Sequence, residues 1–407
     1  MAGQGVVGYY KDGSQVIPTD RIDLHIDDVI DYLNVDKSML LHLMSKIGKE
    51  TVTEMEHKWW TQERKKDTVA ATAAGGNWAA GAADDGTITV AAADAHLFSE
   101  GDIFQIPAKS RTVMCYVDSV VLATGVITAK TVDQTTPDTL DLSGGFTDNL
   151  FLVSNSFESG GNRGTIKWES PTQLSNYVQI VQTPMGITTT AKHIKYRGVD
   201  EWTKLQFELG VDHAFKMEKN LFYGQKHYID TGYQDGVYEQ WFMGGLSDDA
   251  IGIQTNVEDL SAGALTRTAF NSWVIASTQY AKSPIIFSGE LIYEALTAWA
   301  ETKLELVRSE KTYGMAVTNW QTPYGTNVVL IPHRELLTGS DHTGEAFCLD
   351  MSDLKYRSLQ GLDTHIVRNI ETPGDKQTID EIRTWMSMKI GNEKRHGWMY
   401  DVGSITT

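Results

Sequence analysis

Residues 207–227, FELGVDHAFKMEKNLFYGQKH, carry two histidines and two glutamates, the residue types of a metal site or an acid–base pair. Their spacing argues otherwise. On a helix His213 and Glu218 are separated by about 140° around the axis, so they face different sides. His213 and His227 share a face but stand about 21 Å apart along it, beyond the reach of one ion. Phe207, Val211, Ala214, Phe215, Leu221 and Phe222 mark an apolar stripe, and Asp212 with Lys216 makes a favourable i,i+4 pair. The segment reads as a structural girder.

Other chemistry-bearing clusters carry less. PHRELLTGSDH brings His333, Arg334, Glu335, Asp341 and His342 close in sequence. A polar site is one reading of it, and a solvated loop after a buried strand is the other. GGNRGT sets Arg163 among glycines, either as an anion cradle or as a plain turn. The chain has no HExxH, CxxC, GxSxG or GxxxxGK[ST], so the zincin, thiol-redox, α/β-hydrolase and P-loop classes lack their motifs. No catalytic residue, cofactor-binding residue or metal ligand is assigned, and no enzymatic activity is expected.

The elements that position these residues follow from pattern. SMLLHLMSKIG (38–48) is predicted to be a short amphipathic helix, with Ser38 as its N-cap, a stripe of Leu40, Leu41, Met44 and Ile47, and Gly48 past its end. DLHIDDVIDYL (23–33) precedes it as a second helical stretch. EMEHKWWTQERKKDT (54–68) is read as extended, and the small-residue run VAATAAGGNWAAGAADDG as a flexible loop or hairpin tip. Between 86 and 156, TITV, DIFQI, RTVMCYVDSVVL, GVITAKTV and LFLV alternate with turn signals and predict a small all-β module. Further extended chain runs through KWESPTQLSNYVQIVQTPMGITTTAKHIKY, with Pro171 and Pro184 confining it to edges or bends. A long helix is predicted from Asp200 to His227. Helices at 266–282 and 289–307 then mix with strands PIIFS, GTNVVLIPH, AFCLDM, DTHIVRNI and TWMSMKIG, an α+β body.

Composition bounds the partners. The formal net charge is −18, which repels nucleic acid at long range and argues against sequence-specific DNA binding. Cys115 and Cys348 are the two cysteines, so a disulfide framework is excluded and buried thiols are expected. No apolar run approaches the roughly 18 residues of a membrane span. Adjacent Trp59 and Trp60 must point to opposite faces of a strand, so one of them has to find cover beyond its own face. The basic run Arg64, Lys65 and Lys66 is either a solvated loop or a contact with a neighbour's carboxylates.

The order of elements, with LLHLMSKIGKETVTEMEHKWWTQE (40–63), EGDIF (100–104), NYVQI (176–180) and MEKNLFYG (217–224), resembles the major capsid proteins of tailed bacteriophages. Gln62 and Glu63 stand where two acids are more usual. The resemblance implies an α+β capsid fold: an N-terminal arm (1–55), an extended loop (56–196) carrying the β module (about 86–156), a peripheral domain with a spine helix (197–270), an axial domain (271–374), and a C-terminal return to the peripheral domain (375–407). It implies a non-enzymatic subunit forming hexamers and pentamers around double-stranded DNA, a virion component assembled in the host cytoplasm. Trp59, Trp60, Trp168 and Tyr177 would then be covered by a neighbouring copy, with Arg64, Lys65 and Lys66 beside them. Deleting residues 56–80 is expected to abolish shells and leave a soluble subunit. The arm is short and begins at Met1, so a separate scaffolding protein is expected, together with a portal and a decoration protein. The alternative is a tail, baseplate or glycan-binding component, in which exposed aromatics of the β module bind a surface glycan.

Overall fold

The computed structural model describes residues 40, 41, 44 and 49–405, outside 63–65, 76, 79–85, 133–139, 142–146, 158, 160–166, 168–169, 195–200, 231–238, 262, 304–317, 322–326 and 334–341. The expectations for Ser38, Ile47, Gly48, Arg64, Lys65, Arg163, Trp168, Asp200, Arg334, Glu335 and Asp341, and for the helix at 23–33, lie outside the described residues. The chain divides into two compact units, one of residues 1–59 with 174–407 and one of residues 60–173.

The 60–173 unit is a closed antiparallel barrel of six strands. In barrel order they are Asn149–Asn155, Thr68–Gly75, Gly86–Val90, Val126–Thr131, Met114–Val121 and Asp102–Gln105. Alternation along each strand sends Val69, Ile88, Phe104, Cys115, Ile127 and Leu150 inward. The turn Ala95–Leu97 with Phe98 packs into the same core, Phe98 meeting Phe104 edge-on at 6.2 Å. The five predicted strands are all present. The flexible-loop reading of the small-residue run is corrected at its start, because Thr68–Gly75 is a barrel strand whose Val69 and Ala71 face the core. Alanine and glycine have weak strand propensity, and pairing with two neighbours on a closed sheet overrides it. The turn before Val126–Thr131 needs Gly125: its φ is +69°, and a Cβ there would run into the Val90 carbonyl.

The other unit holds two sheets. The first runs Lys49–Val52, Leu354–Leu359, Gln377–Ile390, Gln179–Thr188, with His365–Val367 also pairing along Gln377–Ile390. Pro184 sits in the edge strand Gln179–Thr188, as its missing N–H requires. That strand is followed by a short helix, Thr189–His193, where extended chain was expected; the Thr188 hydroxyl caps it by accepting from the Ala191 N–H at 3.2 Å.

The second sheet runs Val257–Asp259, Gly397–Tyr400, Ala346–Asp350, Pro284–Ser288, Asn327–Pro332, Thr318–Gln321. Its central strands are buried on both sides. Phe287, Phe347 and Leu349 enter one core with Leu40, Met44, Leu221 and Phe222, while Ile286, Ala346 and Cys348 enter another with helices Arg267–Thr278 and Glu290–Lys303. The period of two thus splits one strand between two cores. Pro284–Ser288 and Asn327–Pro332 are parallel, and such neighbours need a crossover, which includes Glu290–Lys303. Burial pushes the Cys115 and Cys348 thiols up to about 12, so both are protonated and inert, as the sequence implied.

The long helix is Glu201–Tyr223, 23 residues and about 35 Å. It stops before His227 because the backbone N–H groups of Leu246 and Ser247 take up the carbonyls of Leu221 and Phe222 at 2.9 and 3.0 Å. Gly224 and Gly245 let the two backbones cross, since a Cβ on either would strike main-chain atoms of the other segment. His227 belongs to a ribbon, His227–Ile229 with Gln240–Phe242. A second ribbon pairs Glu56–Thr61 with Thr172–Tyr177.

Candidate assembly surfaces

The buried face of the long helix is not the stripe that the sequence suggested. Leu221 and Phe222 are buried, but Phe207 is 62% exposed, and His213, Met217 and Glu218 fill the face instead. Both ionisable residues are buried because distant segments supply hydrogen bonds. His213 lies between the hydroxyls of Thr183 and Thr384, at 3.0 Å from Nδ1 and 2.8 Å from Nε2, and burial lowers its pKa. Glu218 Oε1 accepts from the Leu40 N–H and meets His333 Nε2, both at 2.8 Å. The solvated-loop reading of His333 is therefore corrected: it is buried against Phe222, whose ring is 5.6 Å away. His342 meets Glu345 Oε1 at 2.7 Å, and the Tyr223 hydroxyl donates to Oε2 of the same carboxylate at 2.8 Å. Asp212 and Lys216 pair at 2.7 Å on the exposed side. His213, Glu218 and Glu345 each join separate segments of the fold; among the described residues no cluster of three His, Cys, Asp or Glu side chains is placed to hold a metal ion. Nor is any described helix long and apolar enough to cross a membrane.

The strand Glu56–Thr61 gives the two tryptophans opposite environments. His57 and Trp59 point inward, and Lys58 and Trp60 outward. The root of the strand is held by one continuous set of hydrogen bonds. Arg357 grips Glu50 Oε2 through Nε and a terminal nitrogen at 3.1 and 3.0 Å, and its other terminal nitrogen reaches His57 Nδ1 at 2.8 Å. A guanidinium only donates, so Nδ1 is the acceptor and the ring proton sits on Nε2. Nε2–H then donates to Ser387 Oγ at 2.6 Å, and Ser387 donates to the Tyr177 carbonyl at 2.7 Å. Burial and the Arg357 cation lower the His57 pKa to about 3. Trp59 stacks on His57 at 5.5 Å and lies under Arg357, so its own chain covers it.

Of the seven candidate contact residues four are described, and among these Trp60 is the aromatic turned out to solvent, 65% exposed. Tyr177 is half-buried in an aromatic group with Tyr228 and Trp241, and Lys226 Nζ sits 5.0 Å over its ring. Lys66 pairs within its own unit with Asp94 at 2.9 Å. Arg64, Lys65 and Trp168 lie outside the described residues. Because Thr68–Gly75 is a barrel strand and Trp59 a packed one, a deletion over 56–80 would unfold the subunit. Point substitution of Trp60 is the cleaner probe. What the sequence missed is the surface around Tyr228 and Trp241; its signal is two aromatic residues at facing positions of a short ribbon, which local pattern does not pair.

Solved structures of similar chain arrangement include Mycobacterium phage Adephagia, 10% identical with a TM-score of 0.42, covering 98% of this chain and 99% of that one. The capsid of a native GTA particle is 10% identical with a TM-score of 0.40, covering 94% and 96%. The holo-SrpI encapsulin complex from Synechococcus elongatus PCC 7942 is 10% identical with a TM-score of 0.42, covering 58% and 77%. No curated protein sequence matches the chain. The model of one family, SU10 major capsid protein, matches residues 10–403. That match takes in the barrel, the long helix and both sheets. The chain belongs to the SU10 major capsid protein family, and its function is that of a structural subunit of a phage capsid.

Proposed function

We propose that this capsid subunit assembles into hexamers and pentamers around double-stranded DNA, and that copies meet along the outer face of Glu56–Thr61. The observation that carries the contact is Trp60: a large indole, 65% exposed, on a strand whose root is rigidly pinned. An exposed aromatic side chain on a fixed strand is a low-entropy anchor, the kind that dominates interface energetics. A net charge of −18 suits a container that must not grip packaged DNA. A separate scaffolding protein, a portal and a decoration protein complete the proposed partners, with assembly in the host cytoplasm. The family match does not favour the tail-component alternative.

Expression of the chain with its candidate scaffolding protein, followed by electron microscopy and light scattering, tests this reading. Closed shells are expected from the unaltered chain. Trp60→Ser is expected to give a folded, soluble subunit that does not close shells. Normal particles from that variant would overturn the proposed contact.

A further inference from the structure

Beside the pinned root of Glu56–Thr61, one surface has the chemistry to receive an indole. Tyr177, Tyr228 and Trp241 form a half-exposed aromatic group: Tyr228 and Trp241 lie 4.3 Å apart, and Trp241 meets Tyr177 edge-on at 5.0 Å. Lys226 is held over Tyr177 by its bond to Ser175 Oγ at 2.8 Å, which fixes a cation at the margin. The other margin is acidic. Glu239 and Asp230, both exposed, lie near the Tyr228 hydroxyl.

We propose that the Trp60 indole of one copy seats on the Tyr177–Tyr228–Trp241 face of a second copy; this rests on the reading of Trp60 as a contact between subunits. Two observations choose a second copy as the occupant. First, the chain is a capsid subunit, so its exposed faces meet copies of itself. Second, the two surfaces are complementary in charge and hydrogen bonding. Trp60 shares its outward face with Lys58, which is paired with Glu56 only at 3.7 Å, and the receiving face carries Glu239 and Asp230. An indole N–H donates and cannot accept, and the receiving margin offers carboxylate oxygens. The ring faces offer stacking, and Lys226 adds a cation for the indole face. A surface that carries both halves of a contact needs no other chain to complete it.

The test uses full-length chains with Gln62→Cys in one and Asp230→Cys in the other, exposed positions two residues from Trp60 and Tyr228 that leave all four aromatic side chains in place. Both native thiols are buried, so a short bis-maleimide reports on the introduced pair. Mixed assemblies are expected to give cross-linked dimers well above those from either variant alone. In parallel, shell yield is measured for Trp60→Ser and for Tyr228→Ser/Trp241→Ser, with circular dichroism to check folding. Each missing aromatic anchor is expected to weaken association about 30-fold. If Trp60→Ser closes shells normally, the contact reading itself fails. If Trp60→Ser blocks shells while mixed shells of the cysteine variants form and give no dimers, only the receiving face is wrong, and a different surface or a scaffolding protein covers Trp60. Folded Tyr228→Ser/Trp241→Ser chains that close shells at full yield would overturn it equally.

Discussion

The barrel of residues 60–173 and the unit built from 1–59 and 174–407 solve the same problem, burying a core, by opposite means. The barrel closes one continuous stretch of chain on itself, Thr68–Gly75 pairing with Asn149–Asn155, and its core is apolar apart from a few polar groups such as Asp102, which pairs with Lys167. The larger unit stitches together segments far apart in the chain. Glu218 joins Leu40 and His333 across 178 and 115 residues, and Arg357 reaches His57 across 300. Where one stretch of chain closes on itself, apolar alternation does most of the specifying. Where distant segments must meet, buried ionisable groups with fixed partners specify which of them do, and such groups tie that unit to pH and to its polar partners.

The comparison breaks first at the level of cooperativity. Phe104→Ala empties the barrel core and is expected to cost about 3–5 kcal/mol. Calorimetry should show the barrel transition falling while a second transition stays in place. A single transition that shifts as a whole would mean that the two units melt together.

An effect of similar size is expected from Glu218→Ala. It leaves the Leu40 N–H and His333 Nε2 without their acceptor, at about 1–3 kcal/mol for each buried group. Urea unfolding should record the loss, and hydrogen exchange at the Leu40 amide should accelerate. Unchanged exchange there would remove Glu218 from its role in holding the arm residues.

The third expectation concerns pH and sharpens the contrast between the units. His57 has a folded pKa near 3, below the unfolded value of 6.5, so the unfolded chain binds the extra proton between those values. Its stabilising contribution is complete above pH 6.5 and is lost as pH falls toward 3. The limit is about 1.4 kcal/mol per pH unit in that window. His57→Gln should flatten the pH dependence of urea stability by up to one proton in the larger unit and leave the barrel alone. Equal slopes for the variant and the unaltered chain would contradict the buried, neutral His57.

How much of this was legible in sequence follows the same division. The five barrel strands beyond the first were readable because inward Val, Ile, Phe and Leu alternate with polar residues. Thr68–Gly75 was not, since five of its eight residues are alanine or glycine. The long helix was readable as an element but not in its orientation. Apolar periodicity pointed Phe207 inward, whereas the true buried face holds His213 and Glu218. Nothing local announces that Thr183, Thr384 and His333 will satisfy them. For the contact residues, adjacency told that Trp59 and Trp60 part ways, and only the His57–Arg357 clamp told which one stays inside.

The paired strands Glu56–Thr61 and Thr172–Tyr177 have a bearing on how such a gene can change. The chain leaves for the barrel along one and returns along the other, so the points of departure and return already lie side by side. A reading frame in which a short turn replaces the intervening codons still encodes the ribbon, and one that lengthens or exchanges them leaves the flanking register intact. A change in the intervening codons is thereby separated from the strands that build the two sheets of the other unit.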